Sequence, residues 1–143
     1  MTDCIFCKII EGEIPSAKVY EDDKVLAFLD LSQVTPGHTL VIPKKHVENV
    51  FDYDSDVSED IAIRLPVIAR AIRAAFPESK GINIVNNNGE VAYQTVFHSH
   101  WHLIPRYDQD EGFAMKFDNN QDAYDQEEFQ RRADVIAGKI RNP

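Results

Sequence analysis

The sequence predicts an α+β fold: a five-stranded antiparallel sheet with one main helix, a short N-terminal helix and a C-terminal helix. Three observations carry this. A chain of 143 residues, 43% hydrophobic, is sized for one domain, residues 1–143, with a proper core. Five short apolar runs are bounded by turn residues. Two helical patterns flank these runs without the regular β-α-β alternation of a parallel sheet, and the chain has no internal repeats.

The elements follow in order. Ile5 to Ile10 reads as a short helical turn ended by Gly12 and Pro15. Val19 to Glu21 and Val25 to Leu29 read as strands joined at Asp22-Asp23, and Thr39 to Pro43, after the turn Thr35-Pro36-Gly37, as a third. Ser58 to Phe76 carries Ile61, Leu65, Ile68 and Ile72 at three- and four-residue spacing, an amphipathic helix. Pro66 lies inside it, which predicts a kink there or a helix whose regular part starts later. Ile82 to Val85 begins a fourth strand, Asn86-Asn87-Asn88-Gly89 is a turn, and Val96 to Pro105 is the fifth strand. After Arg106 the composition becomes acidic and loop-like through Asp125, and residues 107–143 are a variable C-terminal tail. Within it a helix from Glu127 would place Phe129, Ala133, Ile136 and Ile140 on one face.

A net charge of −9 argues against a surface that tracks a polynucleotide backbone, while leaving room for one small nucleotide in a pocket. No stretch approaches the roughly 20 apolar residues of a membrane span, and Met1-Thr2-Asp3-Cys4 lacks the basic start of a secretory signal, so a cytoplasmic location without a membrane partner is expected. In that compartment Cys4 and Cys7 are not read as a structural disulfide.

Three of the five histidines, His98, His100 and His102, fall at period two in the fifth strand. Alternate side chains of a strand share a face, so three imidazoles form one row, with neighbours starting about 6.6 Å apart. Imidazole is mostly uncharged at neutral pH and serves as nucleophile and proton carrier, which makes the row a candidate active site. A hydrolytic metal centre is the rival, weakened because the strand holds no acid and the preceding acid is Glu90. The Cys4-x-x-Cys7 pair is by itself equally readable as two small buried hydrophobes.

His98-x-His100-x-His102 followed by two apolar residues resembles the signature of the histidine-triad (HIT) nucleotide-binding family. Further matches in family order are Cys4 to Ile10, Gly12 to Pro15, Tyr20 to Asp23, Ala27 to Asp30, Pro36 to His46, and Asn87 to Arg106. The resemblance covers residues 4 to about 106 and is similar to bacterial members with a Cys-x-x-Cys zinc site.

This resemblance implies that His100 attacks the α-phosphate of a nucleotide and forms a nucleotidyl-histidine that water resolves. It gives His102 the donor role toward a phosphoryl oxygen or leaving group, and His38 a supporting role. Ile5, Phe6, Ile9, Phe28 and Leu31 resemble the apolar walls around the purine, although ordinary core is the plainer reading for these five; Asp30 matches the ribose reader. Asn87, Gln94 and Thr95 match phosphate-contacting positions, and Tyr93 stands where the family usually has glycine. Cys4, Cys7, His46 and His98 match a structural zinc site. The implied activity is hydrolysis of an adenosine phosphoramidate, acyl-nucleotide or dinucleoside polyphosphate by a homodimer. A nucleotidyltransferase or a nucleotide-binding interaction module with negligible turnover are the alternatives.

Overall fold

The computed structural model describes residues 3–142; Met1, Thr2 and Pro143 lie outside the described residues, with the corresponding ends of the predicted domain and of the N-terminal segment. Helix α1 spans Ile5–Ile10, followed by strands β1 (Lys18–Glu21), β2 (Val25–Leu29) and β3 (Thr39–Pro43), helix α2 (Ser55–Ala75), strands β4 (Gly81–Asn86) and β5 (Trp101–Arg106), and helix α3 (Gln126–Ala137). The sheet order is β1-β2-β3-β5-β4, every neighbouring pair antiparallel. This is the predicted α+β architecture.

Period-two alternation on β2 and β3 splits the core into two layers. Val25, Ala27 and Val41 face α2 and pack with Ile61, Ile68, Ile72 and Leu103. Leu26, Phe28, Leu40 and Ile42 face the other way and pack with Phe6 and Ile9 of α1. Both faces of the central strands are covered, which is why these strands read as continuous apolar runs.

Three boundaries differ from expectation. Helix α2 begins at Ser55, three residues early, because Asp54 caps it: its carboxylate accepts the Val57 N–H at 2.8 Å. Such a cap stabilises a helix by about 1 kcal/mol. The helix runs through Pro66, so the alternative of a late-starting regular part does not hold. Strand β5 begins at Trp101 rather than Val96, since residues 96–100 form no ladder with a neighbour. Helix α3 stops at Ala137, which leaves Ile140 outside it, and none of its residues is buried.

The turn into β3 needs its glycine. Gly37 has φ +95°, and a Cβ there would meet the Phe76 ring at 2.9 Å. It sits one residue before His38 and so sets where that imidazole enters the sheet.

Candidate functional site

The three histidines share one face although the strand does not extend beneath all of them. His102 lies on β5 opposite Leu40, on the α1 side. Ser99 and Trp101 point the other way, both hydrogen-bonding to the Tyr53 hydroxyl. Upstream, short polar links replace the ladder: the Ser99 N–H donates to the Val47 carbonyl, and the Asn86 amide donates to the His100 carbonyl. The Phe6 ring packs edge-on against both His98 and His100. Period two is thus maintained by side-chain and loop contacts that a strand pattern does not reveal.

Hydrogen-bond partners fix the tautomers. His100 Nδ1 lies 2.8 Å from the His98 carbonyl, an acceptor, so Nδ1 carries the proton and Nε2 keeps a free lone pair. The Val34 N–H approaches His38 Nδ1 at 3.3 Å, which leaves the His38 proton on Nε2. That proton is donated across 2.9 Å to His102 Nδ1. The His102 proton is then on Nε2. One face therefore presents a lone pair from His100 beside an N–H donor from His102, their ring centroids 5.2 Å apart.

Burial holds these imidazoles neutral. It lowers His102 to about 4, helped by His100 and His38. Burial also lowers His100, against the opposing pull of the His98 carbonyl, and lowers His38 against that of Asp30. For Asp30 burial pushes upward, but hydrogen bonds from the Ser32 side chain and N–H, with the neighbouring histidines, bring its carboxyl below the usual range. Ser32 occupies Oδ1, and Oδ2 lies 3.8 Å from His38 Nε2.

A cleft of about 290 Å³ opens beside the two imidazoles. Ile5, Phe6, Ile9, Phe28, Asp30, Leu31 and Thr95 line it with His100 and His102. Phe6, Ile9 and Phe28 are also core residues, so the core reading and the wall reading both hold for them, whereas Leu31 is fully exposed at the rim. Ile14, Pro15, Ala17, Leu40 and Val96 complete the apolar wall without having been singled out; Ile14-Pro15 within the Gly12-to-Pro15 match was the available signal.

Two expected contacts are placed elsewhere. Gln94 does not line the cleft: its side-chain oxygen accepts the Gly89 N–H, and its amide donates to the Glu48 and Val96 carbonyls. It braces the loop beneath Thr95. Asn87 lies on the turn after β4, also away from the cleft lining. Tyr93 has φ +70° and is 84% exposed, which gives the physical reason for glycine at such a position: the left-handed conformation costs a side-chain-bearing residue roughly 1–2 kcal/mol.

A second cluster lies beneath α1. The ligand atoms of Cys4, Cys7, His46 and His98 all fall within 4.8 Å of one another. His46 Nδ1 and His98 Nδ1 are 3.2 Å apart, and Cys7 Sγ lies 3.3 Å from the first and 3.6 Å from the second. Nitrogen ligands at about 2.0–2.1 Å and sulfur at about 2.3 Å from a tetrahedral zinc stand roughly 3.3–3.8 Å from each other. The donor set and its spacing fit. His98 Nε2 donates to the Pro43 carbonyl at 2.8 Å, so its Nδ1 lone pair faces the cluster, in the tautomer a metal requires. Burial and the neighbouring Cys4 push the Cys7 thiol up to about 11, and the His46 and His98 Nδ1 atoms face each other beside it, an arrangement that a bound cation would satisfy. These four residues could hold a metal ion.

The fold and its two His-rich clusters define a small α+β protein with a buried row of imidazoles beside an apolar cleft. The chain belongs to the HIT domain family, whose model matches residues 11–109. It is similar to a crystallised HIT family protein from Bacillus subtilis, with 52% identity, 99% of both chains covered and a TM-score of 0.94. It is similar over 118 residues, at 41% identity, to an adenosine 5'-monophosphoramidase of Candida albicans, covering 78% of this chain and 76% of that one. A zinc-bound histidine triad family protein from Mycobacterium smegmatis matches at 34% identity, with 96% and 99% of the chains covered and a TM-score of 0.73. Among the described residues no helix is long and apolar enough to cross a membrane.

Proposed function

We propose that the chain is a nucleotide hydrolase that cleaves at the α-phosphate of an adenosine phosphoramidate, acyl-nucleotide or dinucleoside polyphosphate through a nucleotidyl-His100 intermediate. The observation that carries this reading is the tautomer set, a His100 Nε2 lone pair beside a His102 Nε2–H donor at the end of an apolar cleft. The lone pair attacks phosphorus and the leaving group departs with its bonding pair. Water then attacks the phosphorus of the P–N adduct, returns the bonding pair to His100 and gives up a proton that balances the one taken by the departing group, so that the nucleoside monophosphate and the protonated leaving group are the products. His102 donates a hydrogen bond to the phosphoryl oxygen on which charge develops, and His38 holds His102 in that tautomer.

The purine sits among Ile5, Phe6, Ile9, Phe28 and Leu31, Asp30 reads the ribose through its Oδ2 side, and Thr95 meets the phosphate end, with Asn87 shaping the adjoining turn. The activity of the Candida relative supports adenosine as the base. Cys4, Cys7, His46 and His98 would hold a structural zinc, which would supply binding energy that fixes α1 on the sheet. The free edge of β4, where Ile84 is 45% exposed, supports a homodimer. The net charge of −9 argues for a small nucleotide over a polynucleotide, and the expected location is cytoplasmic.

A panel of adenosine phosphoramidate, acyl-adenylate and diadenosine polyphosphates, scored for nucleoside monophosphate, tests the reading. We expect release of the monophosphate and, under acid-free quenching, phosphorus bound to His100. Binding of the panel without turnover would make the chain a nucleotide-binding module instead.

A further inference from the structure

The cleft holds one polar side chain that the scheme above does not use. Ser16 lines it between Pro15 and Ala17, and its Oγ is buried with no hydrogen-bond partner. Among the described residues it is the only buried side-chain nitrogen or oxygen in that state. The buried hydroxyls of Thr35, Thr39 and Ser99 each have a partner, in the Pro105 carbonyl, the Gly37 carbonyl and the Tyr53 hydroxyl. Such pairing is the rule, because a hydroxyl taken out of water without a partner loses its solvation and gains nothing in return. Serines that serve local structure bond a neighbouring backbone group, as Ser58 and Ser79 do with the Asp54 and Phe76 carbonyls. Ser16 makes no such bond. A position that needed only a small side chain would be served by alanine, the residue that follows it.

Strand register places this hydroxyl at a definite part of the cleft. Strand β1 pairs antiparallel with β2, Lys18 standing opposite Phe28, and the Leu29 N–H donates to the Ala17 carbonyl at 2.9 Å. Continued by one residue, the pairing sets Ser16 beside Asp30. Directly opposed residues of an antiparallel pair share a face, and both of these line the cleft together with Phe28.

We infer that Ser16 reads the edge of the base, its Oγ–H donating to N3 of the purine. The inference rests on the nucleotide reading above, in which Asp30 takes the ribose hydroxyls. N3 is an acceptor on the sugar side of the base, the edge that faces the minor groove in a duplex. N1, N7 and the 6-substituent lie on other edges. A donor standing next to the ribose reader therefore meets N3 before any other polar atom of the base. The walls formed by Ile9, Ile14 and Phe28 are apolar and hold the purine by its faces without reading an edge. A change of χ1 well turns Oγ toward the ligand, and the bond made there is one the free chain lacks. Because adenine and hypoxanthine share N3, Ser16 adds affinity for both and does not distinguish their 6-substituents.

Calorimetric binding of adenosine 5′-monophosphate, its 3-deaza and 7-deaza analogues and inosine 5′-monophosphate, to the full chain and to Ser16→Ala, tests this. Replacing N3 by C–H should weaken binding to the wild type at least about fivefold. In Ser16→Ala that penalty should vanish, with the parent nucleotide falling to the level of its 3-deaza analogue. Ser16→Thr, which keeps a hydroxyl, should retain the penalty. The effects of 7-deaza substitution and of the change to inosine should be the same in wild type and Ser16→Ala, since neither alters N3. Thermal melting of the free chain separates reading from scaffolding: loss of an unpartnered hydroxyl should leave the Tm of Ser16→Ala at or above that of wild type. A lowered Tm with equal loss of affinity for all four nucleotides would make Ser16 structural and overturn the proposal. A 3-deaza analogue that binds the wild type as well as its parent, or a penalty unchanged in Ser16→Ala, would overturn it while leaving the nucleotide reading intact. Failure of all four nucleotides to bind the wild type would remove that reading and the proposal together.

Discussion

At the scale of single residues, the row of imidazoles was legible and their protonation was not. His-x-His-x-His names the three imidazoles, but the groups that set their protons are the His98 carbonyl and the Val34 N–H, and backbone groups carry no residue signature. Nor does the pattern reveal that the Gln94 side-chain amide is engaged by three backbone partners. His100→Ala should lower kcat by several orders of magnitude in the monophosphate-release assay while binding of a nucleoside monophosphate, measured by calorimetry, stays close to wild type. Near-normal turnover would end the covalent scheme. Asp30 does two things: it closes a turn through Ser32 and lines the cleft, with its other oxygen near His38. With Asp30→Ala, preference for ribose over deoxyribose substrates should collapse, mostly through kcat/KM for the ribose compound, because an acceptor built for a hydroxyl is then gone. Retention of the full preference would reduce Asp30 to its turn.

Among the elements, those with an apolar period and a clear stop were read to within a residue or two, as for α1, β2 and β3. Errors fell where something other than periodicity decides the boundary. Asp54 starts α2 early by capping, and residues 96–100 hold their side-chain alternation through Asn86, Tyr53 and Val47 without joining the sheet. Helix α1 is too short to be stable alone; its Phe6 and Ile9 are buried, and its N-cap Cys4 and its Cys7 are two of the four clustered ligands. Purified chain should therefore carry about one zinc, and chelation should loosen α1 and lower thermal stability. Elemental analysis beside a melting curve checks this, with Cys4→Ser expected to reduce both metal content and Tm. Full stability in a zinc-free preparation would leave the cluster as buried hydrophobes.

Across the whole molecule, the buried neutral histidines tie stability to pH. His102 titrates near 4 in the fold against an ordinary value of about 6.5, and His38 is lowered in the same direction. Between those values the unfolded chain binds the extra proton, so stability is highest above about 6.5 and falls as pH drops toward 4. Denaturant midpoints from pH 7 to 4.5 should fall less steeply for His102→Gln than for wild type; parallel slopes would deny the linkage. The overall architecture was readable because one domain's core pattern suffices to specify it, whereas the placement of α3 was not, since its apolar stripe marks a face to be covered without saying by what. His98 gives the molecule its final constraint. Its side chain belongs to the cluster beneath α1, and its carbonyl sets the proton on His100 two residues later. The cluster and the free His100 lone pair are consequently not separable modules: a chimera that grafts this row of histidines onto another member of the fold is expected to need positions 4, 7, 46 and 98–100 as one block, or lose the placement of that lone pair together with the cluster.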